Sequence, residues 1–271
     1  MVERPKWAPG DIDLERPSVA RVYDYWLGGA HNFAADRVAG DKTLETMPEL
    51  KGVILTNRAL LRRMVRHLVE SGVRQFLDLG SGIPTAGNVH EIARQVDPAT
   101  RVVYVDVDPV AVAHGKSILS DTDGVIAMQA DIREPDSVLE DPAVREVLDF
   151  TEPIAVLMIA LLHFMPDSDE PAKIINRYLE PLVPGSYLGI SHYGFEDGEE
   201  GAGQREARQV YSGKVTPMVP RNRTEFACFF AGLELVDPGV TRMPLWHPES
   251  PDDVDEDAAR FPGFGALARK P

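Results

Sequence analysis

Cysteine is nearly absent from this chain. Cys228 stands alone, so neither an internal disulfide nor a cysteine-based zinc site can form. Its setting, Phe226-Ala227-Cys228-Phe229-Phe230, predicts a small buried hydrophobe rather than a nucleophile. Basic charge is scarce as well. The chain has 28 Lys and Arg against 43 Asp and Glu, a net charge of −15, which argues against a nucleic-acid backbone or an anionic membrane as partner. Long apolar runs are missing, since the longest, Ile154 to Leu162, falls far short of a bilayer span. The first residues, Met1 to Glu15, are polar and contain proline rather than a secretory leader, so a cytoplasmic location is expected. Internal repeats are absent, and nothing fixes the oligomeric state. A hydrophobic content of 44% over 271 residues suffices for one large α/β domain with a small appendage.

From Val73 onward, strand-like and helix-like segments alternate. Val73–Leu79, Arg101–Asp106, Val125–Gln129, Ile154–Ala160 and Tyr187–His192 read as strands. Gly87–Val96, Pro109–Leu119 and Asp167–Leu182 read as helices between them. This alternation predicts a doubly wound parallel sheet. Leu233–Val236 and Gly265–Ala268, separated by a long Pro-rich acidic loop, predict an antiparallel pair at one edge.

The first seventy residues lie outside that alternation and predict a helical cap (1–70) before the core (71–271). Ser18 can cap a helix whose apolar face is Val19, Val22, Tyr23 and Trp26, ending at Gly28-Gly29. A second helix is expected from Ala34 to before Pro48. A third, Thr56–Glu70, would turn Leu61, Met64, Val65 and Leu68 inward and leave Arg58, Arg62, Arg63 and Arg66 elsewhere.

The most informative segment is Phe76-Leu77-Asp78-Leu79-Gly80-Ser81-Gly82-Ile83-Pro84-Thr85, a strand running into a glycine turn before a helix. Glycines at 80 and 82 let the backbone approach a ligand where a Cβ would collide. A dinucleotide site would need a third glycine where Thr85 stands, and its pyrophosphate would be repelled by Asp78. A ligand with an ammonium and no phosphate suits that acid, which favours S-adenosylmethionine (SAM) over NAD. Asp106, ending the next strand, can accept both ribose hydroxyls. Asp131, after the third strand, can accept from the adenine amino group. Val107 and Ile132 can sandwich the ring, with Ala130 beside them.

These residues resemble the core of the Rossmann-like SAM-dependent methyltransferases over Val73–Ser191. The N-terminal run Ser18-Val19-Ala20-Arg21-Val22-Tyr23-Asp24-Tyr25-Trp26-Leu27-Gly28-Gly29-Ala30-His31-Asn32-Phe33-Ala34-Ala35-Asp36-Arg37 narrows the likeness. Together with Asp78–Thr85 it resembles a bacterial family of S-adenosyl methyltransferases, formerly a domain of unknown function. The resemblance implies a seven-stranded, mostly parallel sheet with an antiparallel C-terminal hairpin, and SAM bound by Asp78, Gly80, Ser81, Gly82, Asp106, Val107, Ala130, Asp131 and Ile132. It supplies no methyl acceptor; a small molecule is expected.

His163, at the end of the fourth strand, is the candidate general base, with packing or loop orientation as its alternative. Tyr23, Tyr25, His31 and Asn32 are candidates for the methionine end or the acceptor, and Arg58 for the SAM carboxylate. His192 and Tyr193 are expected near the acceptor mouth. The acidic runs Glu196–Glu200 and Asp252–Asp257 read as solvated loops without EF-hand spacing, and no metal is expected. A SAM-binding regulator without turnover and an NAD-dependent oxidoreductase are the competing readings.

Overall fold

The computed structural model describes residues 13–84, 87–120, 122–198, 200–201, 205, 208–209, 212–213, 216–250, 254 and 258–271. Thr85, Glu199 and the run 252–257 apart from Val254 therefore lie outside the described residues.

Three helices open the chain: α1 (Val19–Trp26), α2 (Ala34–Thr46) and α3 (Leu50–Glu70). The alternating core follows with β1 (Gln75–Leu79), α4 (Val89–Arg94), β2 (Arg101–Asp106), α5 (Pro109–Leu119) and β3 (Val125–Gln129). Short helices α6 (Pro135–Leu139) and α7 (Pro142–Val147) lead to β4 (Ala155–Ile159), α8 (Pro171–Leu179) and β5 (Tyr187–Phe195). The last strands are β6 (Arg221–Asn222), β7 (Glu234–Leu235), β8 (Thr241–Arg242) and β9 (Gly263–Arg269).

Among the described residues the sheet has nine strands, with its main path ordered β3-β2-β1-β4-β5-β9-β7. Strands β3 to β5 along this path are parallel, whereas β9 runs antiparallel to both β5 and β7. The seven-stranded path and its antiparallel edge match the expectation. Two-residue pairings add β6 beside β5 and β8 beside β9.

Strand pleating divides the apolar side chains between two layers. Leu77, Leu79, Val103, Val105, Val156 and Met158 face the core covered by α6, α7 and α8. Phe76, Val102, Tyr104, Ala155 and Leu157 face α3 and α4. Strands buried on both faces explain why these runs read as continuously apolar.

Several expectations need correction. Helix α3 starts six positions before Thr56, because an exposed Gly52 is tolerated in a helix whose Ile54, Asn57 and Leu61 turn inward. Arg63 is buried; its guanidinium donates to the carbonyls of Trp246 and Met243, both at 2.8 Å. Cys228 is exposed, since the 3-10 turn Cys228–Phe230 spends its inward positions on Phe229 and Phe230. The described residues of the Glu196–Glu200 segment form a loop as expected, exposed at 196–198, and their acids are paired. Glu196 pairs with Arg223 at 2.7 Å and Arg242 at 3.0 Å, Asp197 accepts from Thr224, and Glu200 binds Arg208.

Candidate active site

Three strand ends carry acids to one edge of the sheet: Asp78 in β1, Asp106 closing β2 and Asp131 two positions past β3. β1 stands between β2 and β4, where the strand order reverses, and open α/β sheets take ligands in the crevice at that point. The turn after β1 is stitched to β2 by N–H donations from Gly80 and Ser81 to the Val105 carbonyl, at 2.8 and 3.1 Å. Gly80 and Gly82 have φ of +69° and +67°. A Cβ on Gly80 would lie 2.5 Å from the Leu161 side chain, whereas one on Gly82 would meet nothing within 4 Å.

The Asp106 carboxylate is aimed by two backbone donors, Gly82 N–H at 2.7 Å and Asp108 N–H at 2.8 Å. Burial pushes its pKa up to about 6 against those donors. Burial raises Asp78 further, to about 7, with the Arg58 charge opposing and Asp106 reinforcing the shift. No hydrogen bond to the Asp78 carboxylate occurs among the described residues. Asp131 is clasped by Arg133 Nε at 2.9 Å, which holds its carboxyl below the usual range.

These residues line a cleft of about 450 Å³, within the size range of sites for nucleoside-sized ligands. Asp78, Gly80, Ser81, Gly82, Asp106, Val107, Ala130, Asp131, Ile132, Tyr23 and Arg58 all border it. Val107 is an apolar side chain left 63% exposed at its wall. Asn32 is not on this lining. Its amide donates to Asp24 and to the Gly29 carbonyl, both at 2.9 Å, and its oxygen accepts from Arg37, so it braces the loop after α1. His31 lies against His114, with ring centroids 3.4 Å apart and the planes tilted by 34°, and Tyr25 donates to Asp41; neither lines the cleft.

The cap is fastened over the cleft by polar contacts. The Ser18 hydroxyl donates to Asp108, the N-cap of α5. Arg21, buried, pairs with buried Asp36 at 3.1 Å and lies 3.9 Å from Asp108.

A second, mostly apolar cavity of about 100 Å³ adjoins the cleft. Val19, Tyr23, Asn57, Ala160 and Phe164 border both. A relay crosses this boundary: Asn57 Nδ2 donates to the Tyr23 hydroxyl at 3.1 Å, Ser191 Oγ donates to Asn57 Oδ1 at 2.6 Å, and Ala160 N–H donates to Ser191 Oγ at 2.9 Å. Ala160 has φ of +54°, a conformation costly for a side-chain-bearing residue and often found at functional sites. The sequence reading missed Asn57 and Ser191. A polar residue in register with Ile54 and Leu61 on the buried face of α3 was the available signal.

His163 lines the second cavity and is buried. The Tyr193 N–H donates to its Nδ1 at 3.3 Å, which leaves the ring proton on Nε2. Burial, aided by the Arg221 charge, lowers its pKa to about 3. Arg221 fixes the loop after β4 by donating to the carbonyls of Leu162 and Met165, each at 3.0 Å. Tyr193 lines this cavity as expected, but His192 does not. It is fully buried among Arg221, Phe226 and Phe229, because β5 runs on to Phe195 and carries it behind the cavity wall.

A doubly wound sheet ending in an antiparallel edge, under a helical cap, is the architecture of Rossmann-like SAM-dependent methyltransferases. Human N-acetylserotonin methyltransferase in complex with SAM shares this fold at 15% identity and a TM-score of 0.50, over 94% of this chain and 63% of that one. The chain belongs to the S-adenosyl methyltransferase family, whose model matches residues 5–271. It is similar to a candidate methyltransferase of Thermobifida fusca YX at 37% identity and a TM-score of 0.90, over 98% of this chain and 99% of that one. It is likewise similar to a DUF574 family protein of Streptomyces avermitilis MA-4680, at 40% identity and a TM-score of 0.89, over 96% and 99%. No curated protein matches it. The protein is therefore a SAM-dependent methyltransferase, and its cofactor is SAM rather than NAD. Among the described residues, no helix is long and apolar enough to cross a membrane.

The site chemistry fits that cofactor. A buried carboxylate without a hydrogen bond among the described residues suits a cationic group. A second carboxylate, already aimed by two backbone donors, keeps lone pairs for a diol. The open side of Gly82 leaves room for close approach.

Proposed function

We propose that the protein methylates a small molecule held between the helical cap (1–70) and the edge of the sheet core (71–271). The observation that carries this reading is the apolar cavity opening onto the acid-lined cleft through Tyr23, Asn57, Ala160 and Phe164. In this reading Asp106 takes the ribose hydroxyls, Asp78 the ammonium and Arg58 the carboxylate of SAM. Val107 and Ile132 flank the adenine, Ala130 lies beside it, and Asp131 accepts its amino group. Gly80, Ser81 and Gly82 form the floor, and Tyr23 closes the methionine end. The excess of acidic charge supports a small acceptor over nucleic acid, and the lone cysteine suits the cytoplasm.

SAM supplies an activated methyl group with a thioether as leaving group. The chain's own task is to hold a nucleophile in line, and such positioning can lower a barrier by roughly 7–11 kcal/mol. His163 is assigned as a neutral wall residue with an Nε2–H donor rather than as the general base, since its Nδ1 is engaged and its basicity is low. Calorimetric titration with SAM, S-adenosylhomocysteine and NAD tests the cofactor reading. Micromolar binding of the first two and none of NAD is expected; silence toward both sulfur ligands would overturn it.

A further inference from the structure

The second cavity has a feature that packing alone does not explain. Tyr193 is 8% exposed, and its hydroxyl is a buried polar atom without a hydrogen-bond partner among the described residues. A buried donor left unpaired costs on the order of 1–3 kcal/mol, so buried hydroxyls ordinarily find partners. This one belongs to a side chain lining a cavity whose other walls include Trp26, Met47, Leu50, Ile54, Phe164 and Met218. The Tyr193 ring borders this space while its hydroxyl is closed off from water, within the reach of the Glu200, Arg208 and Glu49 charges; an acceptor atom on a ligand that displaces the adjoining wall would satisfy it.

The cavity also selects by charge. Among the described residues no carboxylate and no lysine lines it. Its one charged lining residue, Arg208, is bidentate to Glu200, with both contacts at 2.9 Å. A charged ligand group entering here would lose its hydration without gaining a free counter-charge. Size sets a third limit. A dry cavity of about 150 Å³ admits benzene, so about 100 Å³ takes no more than a single ring, and part of such a ligand must reach toward the cleft whose lining residues the cavity shares. At that end stands the Tyr23 hydroxyl, held by Asn57. Tyr23 borders both spaces and Tyr193 the apolar cavity alone, so Tyr193 belongs to the end of the cavity away from the cleft.

We propose that this cavity binds the methyl acceptor, and that the acceptor is an uncharged, single-ring, mostly apolar molecule with a hydrogen-bond-accepting group that meets the Tyr193 hydroxyl at the end remote from its nucleophile. The proposal rests on the methyl-transfer reading for the ligand's role, while the pocket's selectivity stands on its own geometry.

Three probes of one shape test it: 4-aminoacetophenone (neutral, with an acceptor carbonyl), 4-ethylaniline (neutral, without it) and 4-aminobenzoate (anionic). Each is titrated by calorimetry and ligand-observed NMR into the full chain, with and without S-adenosylhomocysteine. The expected result is binding of 4-aminoacetophenone about tenfold tighter than either other probe, about 1.4 kcal/mol. Tyr193→Phe should abolish its advantage over 4-ethylaniline, leave S-adenosylhomocysteine affinity unchanged and keep or raise the melting temperature. A purely structural tyrosine would instead lower stability and leave the ranking alone. Val53→Phe, which fills the cavity from α3, should weaken all three probes. Equal binding of the two neutral probes, preference for the anion, or an unchanged ranking in Tyr193→Phe would each overturn the proposal. Discrimination among the probes without any S-adenosylhomocysteine binding would support the pocket and sink the methyl-transfer reading instead.

Discussion

Ser191 donates its hydroxyl hydrogen to Asn57 Oδ1 at 2.6 Å, tying strand β5 to the buried face of helix α3. The same Ser191 oxygen accepts the N–H of Ala160, and Asn57 in turn holds the Tyr23 hydroxyl. Three of these four residues, Tyr23, Asn57 and Ala160, border both the acid-lined cleft and the second cavity. Ser191→Ala leaves the Asn57 oxygen and the Ala160 N–H unpaired, and should cost about 1–3 kcal/mol. For a chain of this size that is a fall in melting temperature of several degrees, on a scale of about 2–4 °C per kcal/mol. Calorimetry on the unliganded protein checks it, and an unchanged melting temperature would mean the relay bears no load.

Asp106 offers the most direct test of cofactor geometry. Asp106→Ala should weaken SAM binding by about 1.5–3 kcal/mol, the range for hydrogen bonds to a charged group. Because Gly82 and Asp108 lose their acceptor as well, circular dichroism should accompany the titration. A folded variant with native affinity would remove Asp106 from the site.

Asp78 should make affinity pH-dependent. Its folded pKa of about 7 lies well above the ordinary carboxylate value, so the folded, unliganded protein holds a proton there that the unfolded chain has lost. Stability of the free protein should therefore fall as pH rises from about 4 to 7 and level off above. SAM, a cation, needs the ionised carboxylate, so its affinity should rise over the upper part of the same window. Asp78→Asn should flatten both profiles, gaining roughly 1–3 kcal/mol of unliganded stability at pH 8 while losing SAM affinity. Chemical denaturation and calorimetry at pH 5, 6, 7 and 8 read both arms.

Arg21 locks the cap. Arg21→Ala removes the only side-chain cation beside Asp36, which is 0% exposed, and leaves its carboxylate with the Ser18 and Phe33 N–H groups alone among the described residues. Removing one partner of a buried pair costs about 3–5 kcal/mol, and SAM affinity should fall with it because Ser18 and Asp108 sit at the cleft wall. Urea unfolding of Arg21→Ala and of Arg21→Ala/Asp36→Ala distinguishes the pair from mere side-chain bulk. The double variant should recover part of the loss.

His163 should stay neutral throughout the working range. Its ring ¹⁵N shifts should report an unchanging Nε2–H tautomer from pH 5 to 8, as expected for a pKa of about 3. A titration near pH 6 to 7 would restore it as a candidate base.

Local pattern carried much of this. The apolar runs of β1, β2 and β4 announced strands buried on both faces, and Asp78-Leu79-Gly80-Ser81-Gly82 announced a turn that needs positive φ. The three strand-end acids follow from that alternation, because a doubly wound sheet brings successive strand ends to one edge. Composition was a poorer guide where burial depends on distant partners. Arg63 and Arg21 looked like surface charge or were passed over, yet they are buried by the carbonyls of Trp246 and Met243 and by Asp36. Cys228 looked apolar from its neighbours and faces outward, since a tight turn cannot bury consecutive residues equally.

The alternation of strands and helices, the glycine turn and the acids at three strand ends were legible in the sequence, because each rests on residues near one another in the chain. Packing in three dimensions brings Asn57 to Ser191 and leaves the buried Tyr193 hydroxyl without a partner among the described residues. Those outcomes depend on how α1 and α3 pack over the ends of β4 and β5. Contacts between residues more than a hundred positions apart leave no periodicity in the sequence from which to read them.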